Sequence, residues 1–105
     1  MNRLLIVDDE HHIVNWLSEL FQSVEDLDLE IMKAYSGFEM LNILKNYRMD
    51  IILLDIQMPG MDGLAAAQEA LSEWPSTHII FLTAYDNFHY LYQANQLPNT
   101  SYLLK

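Results

Sequence analysis

Four apolar runs constrain this chain more than any other feature: Leu4-Leu5-Ile6-Val7, Ile51-Ile52-Leu53-Leu54, Ile79-Ile80-Phe81-Leu82 and Tyr102-Leu103-Leu104. The first three do not alternate with polar residues, so they read as strands buried on both faces of a sheet. Each of the four ends in a residue that can do chemistry. The first meets Asp8-Asp9-Glu10, the second Asp55, the third Thr83 and the fourth Lys105. A carboxylate at the end of a buried strand is costly unless something charged meets it there. In a parallel sheet these ends share one edge, where open α/β folds bind their ligands. Three acids, a lysine and a hydroxyl suit a divalent cation and a phosphoryl group.

Between the strands lie helical patterns. Residues 3–7 form the first strand, and residues 11–24 carry a stripe of Ile13, Leu17, Leu20, Phe21 and Val24. Glu30 to Ala34 alternate enough to predict an edge strand with one face nearer water. Ser36 and Glu39 have the spacing of a capping box for a helix whose stripe is Phe38, Leu41, Leu44 and Tyr47. The strand 51–54 is followed by a turn-rich loop, Gln57 to Gly63, and an Ala-rich helix over 64–73. His78 to Leu82 form the fourth strand, a helix is predicted over 86–95, and Ser101 to Leu104 close the chain as a fifth strand. This βα alternation predicts a parallel sheet with right-handed crossovers and helices on both faces. A helix after the last strand would normally pair with the first, so one sheet face is expected to be under-covered.

Size and charge narrow the function. A chain of 105 residues has room for one domain and one core. Fifteen acids against five Lys plus Arg give a net charge of −10, a surface that repels nucleic acid and anionic membrane. The chain has no cysteine, which excludes disulfides and thiolate metal sites. The four apolar residues after Met1-Asn2-Arg3 are too few for a signal peptide or a membrane span, so the default location is cytoplasmic. Asn99-Thr100-Ser101 matches a glycosylation pattern, which in a cytoplasmic chain is coincidence.

The candidate cation is Mg²⁺, a hard ion that takes oxygen ligands and keeps several waters. Asp9, Asp55 and a backbone carbonyl just after Asp55 offer ligands, with Asp8 acting directly or through water. Clustered carboxylates repel one another, and a bound cation relieves that repulsion. Asp55 is then free to act as a nucleophile toward phosphorus, with Lys105 offsetting charge and Thr83 donating a hydrogen bond. Each residue alone has an ordinary explanation: an acidic pair caps helices, Thr83 makes a turn and Pro59-Gly60 is a turn. Their coincidence at four of five strand ends favours the joint reading. His11 and His12 do not form a metal pair, because adjacent helical residues point apart.

The motifs Asp8-Asp9, Asp55 with Met58-Pro59-Gly60-Met61-Asp62-Gly63, Thr83-Ala84, and Tyr102 three residues before Lys105 together resemble the receiver domain of bacterial two-component response regulators. The resemblance covers the whole chain. It implies a flavodoxin-like, doubly wound, five-stranded parallel sheet of order 2-1-3-4-5, here a domain spanning 1–105 and cut before its last helix. It further implies that Asp55 accepts a phosphoryl group from a sensor histidine kinase. Asp9, Asp55 and the Gln57 carbonyl would hold Mg²⁺ beside Asp8, and Thr83 and Lys105 would contact phosphoryl oxygens. Thr83 and Tyr102 match the family's switch pair. Residues 85–90 resemble the subgroup fused to an AraC-type DNA-binding domain, which would lie outside this chain. The family's dimer face adds a second copy of the chain to the implied partners. One departure is Leu97-Pro98-Asn99-Thr100, where the family usually has a Gly-Ala or Gly-Val pair.

Three other classes fit less well. A haloacid-dehalogenase-type phosphatase needs a second Asp two residues after its nucleophile, and this chain has Gln57, which cannot protonate a leaving group. A flavodoxin-like flavin carrier needs a phosphate cradle after the first strand, where Asp8-Asp9-Glu10 would repel the phosphate. A phosphate-independent interaction module leaves the strand-end charges without a purpose.

Overall fold

The structure is a computed structural model that describes residues 2–24, 28–83, 92–93 and 96–104. Its elements are β1 (Asn2–Val7), α1 (His11–Gln22), β2 (Leu29–Ala34), α2 (Gly37–Leu44), β3 (Ile51–Asp55), α3 (Gly63–Glu73), β4 (His78–Thr83) and β5 (Thr100–Leu104). The five strands form one sheet in the order β2-β1-β3-β4-β5, every pairing parallel. The predicted architecture and strand order are therefore those observed. The helix predicted over 86–95 falls outside the described residues except at Tyr92 and Gln93.

Period-two alternation sorts the strand side chains onto two faces. Leu5, Val7, Ile52, Leu54, Ile79 and Phe81 join residues of α2 and α3 in the larger core. Leu4, Ile6, Leu53 and Leu82 face the other way and pack with Val14 of α1. Among the described residues the first cluster holds seventeen buried side chains and the second five, so the two faces are unequally covered. Trp16, Leu20 and Val24 accordingly stand exposed on or just past α1, and Leu103 on β5.

Both helix stripes sit differently from their predicted positions. In α1 the buried residues are Val14 and Ser18, with Ile13, Leu17 and Phe21 half-buried, while Leu20 and Val24 are exposed. The apolar arc of the helix is wider than the strip of sheet it covers. In α2 the buried line runs through Gly37, Met40 and Leu44, whereas Phe38 is 60% exposed. Met40 displaces Phe38 from the core because the first turn is set by its cap rather than by its largest side chain. Ser36 Oγ accepts the Glu39 N–H at 3.0 Å, and Glu39 Oε2 accepts the Tyr35 N–H at 2.6 Å. The predicted capping box thus forms, with its return bond one residue earlier than usual. Tyr47 lies beyond the helix and carries the Arg3 guanidinium over its ring.

The loop before β5, where the family's small residues are absent, is shaped by Asn99. This residue takes a left-handed conformation (φ 54°), which asparagine tolerates better than most side chains. Its Nδ2 donates to the Pro75 carbonyl at 2.8 Å, and its own carbonyl accepts the Ile79 N–H at 2.9 Å.

At the N-terminal edge of the sheet, Asp50 ties β1 to the loop before β3. Its carboxylate accepts the Arg3 N–H at 2.8 Å and meets the Arg48 guanidinium at 3.2 Å. The Arg3 N–H holds the Asp50 carboxyl below its ordinary value against the opposing effect of burial, and the Arg48 charge adds a smaller lowering. A lowered folded-state value stabilises the fold fully above the ordinary carboxylate range and is lost as pH falls through the lowered value. Urea unfolding of wild type and Asp50→Asn should therefore show a stability gap that narrows on going from about pH 6 to about pH 3, around the carboxylate range. A gap independent of pH would contradict this role.

Candidate functional site

The register of the sheet assembles the acids. Val7 pairs with Leu54, so Asp8 and Asp55 leave neighbouring strands side by side. Asp8 is fully buried, Asp55 is 5% exposed, and Asp9 faces solvent. One carboxylate oxygen from each of Asp8, Asp9 and Asp55 lies within 4.8 Å of the other two. Thr83 ends β4, the strand beside β3, and is also buried. Three carboxylates at this spacing form an all-oxygen donor set, which suits a hard divalent cation and not a soft one. The predicted acids are thus brought together. Gln57 is placed beside them, its N–H bonded to Asp55 Oδ1 at 3.3 Å.

Local hydrogen bonds aim these side chains. Asp8 Oδ1 accepts the Glu10 N–H at 2.9 Å, and Asp55 does the same for Gln57, each two residues on. Such turns let a carboxylate organise the loop that follows it. The β3–α3 loop is closed by the Gly63 N–H, which reaches the Ile56 carbonyl at 2.6 Å. Asp62 caps α3 by accepting the Ala65 N–H at 2.9 Å. Gly60 sits at φ 85°, a conformation open to glycine and strained for other residues.

Tyr102 pairs with Phe81 and so shares a sheet face with Thr83, two positions along β4. It is 48% exposed. Leu104 is the register partner of Thr83, so β5 runs toward the acidic edge. Lys105 and Ala84 lie outside the described residues. Among the described residues His11 and His12 do not converge: the His11 ring stacks on Tyr35 at 4.0 Å between centroids, and His12 Nε2 lies 3.5 Å from Glu10.

Sequence reading passed over Gly63 as a site residue. A Cβ at this position would overlap the Asp55 carbonyl oxygen and approach Ile56 Cα to 2.8 Å. The start of α3 therefore lies directly against the strand end that carries Asp55, and only glycine fits. The Asp62-Gly63 pair opening a helix was the available signal.

The chain matches the family model described as the response regulator receiver domain over residues 4–105, and it belongs to that family. It is accordingly a signalling domain rather than an enzyme of the usual metabolic kind. It is 33% identical to the uncharacterized transcriptional regulatory protein YhcZ of Bacillus subtilis (strain 168), over 96% of this chain and 47% of that protein. Among solved structures it is similar to the response regulator protein TrrA of Thermotoga maritima in complex with Mg²⁺-BeF, at 34% identity and a TM-score of 0.85. That match covers all of this chain and 87% of the other. It is also similar to a two component transcriptional regulator AraC from Clostridium phytofermentans, at 28% identity and a TM-score of 0.87, over all of this chain and 81% of that one. The chain spans less than half the length of the curated relatives it matches. No helix among the described residues is long and apolar enough to cross a membrane.

Gly63→Ala should lower the unfolding free energy by about 1–3 kcal/mol through overpacking against β3. Equilibrium unfolding in urea checks this, and a midpoint equal to wild type would show that the contact is not tight.

Proposed function

We propose that the domain is a phosphorylation switch in which Asp55 is the phosphoryl acceptor and Mg²⁺ is the cofactor. The observation that carries this reading is the convergence of Asp8, Asp9 and Asp55 within 4.8 Å at one strand edge, beside buried Thr83. Asp9, Asp55 and the Gln57 carbonyl would hold the ion, with Asp8 directly or through water. Bound there, Mg²⁺ would supply positive charge against the phosphoryl oxygens. The donor is a phosphohistidine on a sensor histidine kinase. A carboxylate oxygen of Asp55 bonds to phosphorus while the P–N bond breaks and its electron pair returns to the imidazole. The Thr83 hydroxyl donates a hydrogen bond to a phosphoryl oxygen, and the Lys105 ammonium pairs with another. The domain thereby catalyses its own acylphosphate formation, and water attack at phosphorus later restores Asp55.

Phosphorylation replaces the single negative charge of the Asp55 carboxylate with a phosphoryl group carrying about −1.5 to −2, at the end of β3. In this account that charge draws Thr83 inward, and Tyr102, on the same sheet face, moves with it. The surface around β4 and β5 carries the change to an output domain. The regulatory names and greater length of the relatives support an output that binds DNA, of AraC type. With a net charge of −10, the receiver itself would leave nucleic acid contact to that partner. A homodimer formed through receiver faces is the corresponding assembly.

Intact-mass measurement after incubation with acetyl phosphate tests the chemistry. Wild type should gain one phosphoryl group only when Mg²⁺ is present, and Asp55→Asn should gain none while unfolding cooperatively as wild type does. Uptake by Asp55→Asn at full stoichiometry would remove Asp55 from its role.

A further inference from the structure

Beyond the acids themselves, a line of contacts runs around one side of the site through the β2–α2 junction. Tyr35 stands at its centre. The Tyr35 ring stacks on His11, which opens α1 two residues after Asp9, with centroids 4.0 Å apart and ring planes 26° from parallel. The Tyr35 N–H is held by Glu39, whose own N–H is held by Ser36, so the junction is pinned to the first turn of α2. That turn bears on the β3–α3 loop at two places. The Phe38 ring edge lies over Gly60, 3.1 Å from where a Cβ would stand. The Met61 side chain lies against Gly37, its Sδ 3.0 Å and Cγ 3.1 Å from where a Cβ would stand. Phe38 is 60% exposed, so core packing does not account for its position.

The two loops joined in this way are the ones that carry the site. The β1–α1 loop bears Asp9, and the β3–α3 loop begins at Asp55 and contains Gln57. Sheet register fixes where Asp8 and Asp55 leave their strands, but it does not fix the path of residues 57–61 or the start of α1. We infer that the β2–α2 junction is a positioning brace for the cation site, with Tyr35 and His11 holding one loop and Phe38 the other. His11, Tyr35 and Phe38 are positioning residues, acting through the loops and touching no proposed ligand to the metal. Groups bonded directly to metal ligands commonly change affinity when removed, and a brace one step further out acts in the same direction because ligands must be ordered before they bind.

The inference rests on the proposed Mg²⁺ site, and one experiment separates the two. Mg²⁺ dissociation constants are measured by calorimetry well below the melting temperature, together with the metal-free unfolding midpoint. The double variant His11→Ala/Phe38→Ala removes two exposed rings, so its metal-free midpoint should match wild type. Its Mg²⁺ dissociation constant should rise severalfold, approaching the roughly tenfold low end seen when a group bonded directly to a ligand is lost. Phe38→Tyr should retain wild-type affinity, and Trp16→Ala, an exposed aromatic on α1 away from the brace, should do likewise. A double-variant constant within about twofold of wild type, far short of the effect of losing a ligand support, would overturn the brace and leave the metal site standing. A wild type that binds no Mg²⁺ would overturn both.

Discussion

The crowding of Asp8, Asp9 and Asp55 at one edge of a parallel sheet is the constraint on which the rest of the site depends. Two of the three are buried, and water cannot solvate them as it would in an open chain. The cost follows from register. With Val7 beside Leu54, two strands that must be apolar for the core deliver their terminal carboxylates to adjacent positions. The fold therefore concentrates negative charge where its own backbone geometry permits no escape. Part of that charge is answered by turn N–H groups from Glu10 and Gln57. A cation of hard character, as proposed, would answer more of it.

The sheet and its chemistry were largely legible in the sequence because strand burial and strand ends leave local signals. Uninterrupted apolar runs announced the central strands, and the polar residue after each run announced the edge. The helix faces were less legible. Phe38 looked like a core residue by size and spacing, yet the Ser36 cap starts the helix so that Met40 turns inward and Phe38 does not. Leu20 and Val24 extended a plausible stripe on α1, but the strip of sheet beneath it is narrower than that stripe. A helical period says which residues share a face and not how far the partner surface extends. Gly63 was visible as part of a motif, but its packing role was not, for a different reason. Its requirement comes from the closeness of α3 to the Asp55 carbonyl, a tertiary contact with no local pattern beyond a glycine at a helix start.

Stability and function are separated along the strands. At the N-terminal edge, Asp50 with the Arg3 N–H and Arg48, and the Thr77 hydroxyl on the Met49 carbonyl at 2.8 Å, give polar groups partners from the protein itself. At the C-terminal edge, like charges are gathered, and the β3–α3 loop turns through Gly60. Such an arrangement stores unfavourable energy at the site and offsets it in the core and at the opposite edge. It also accounts for how a phosphoryl group could act as a switch. Charge added where Asp8 and Asp55 are buried is felt strongly, because little water is there to screen it.

The most direct test of this account is the melting temperature of wild type and Asp55→Asn across a Mg²⁺ titration at low ionic strength. If carboxylate crowding creates the cation site, Mg²⁺ raises the wild-type melting temperature in step with its occupancy. Asp55→Asn, with one charge removed, should melt higher than wild type without metal and respond little to it. Equal metal-free melting of the two proteins, with no Mg²⁺ effect on wild type, would contradict the claim that charge at this edge governs the domain.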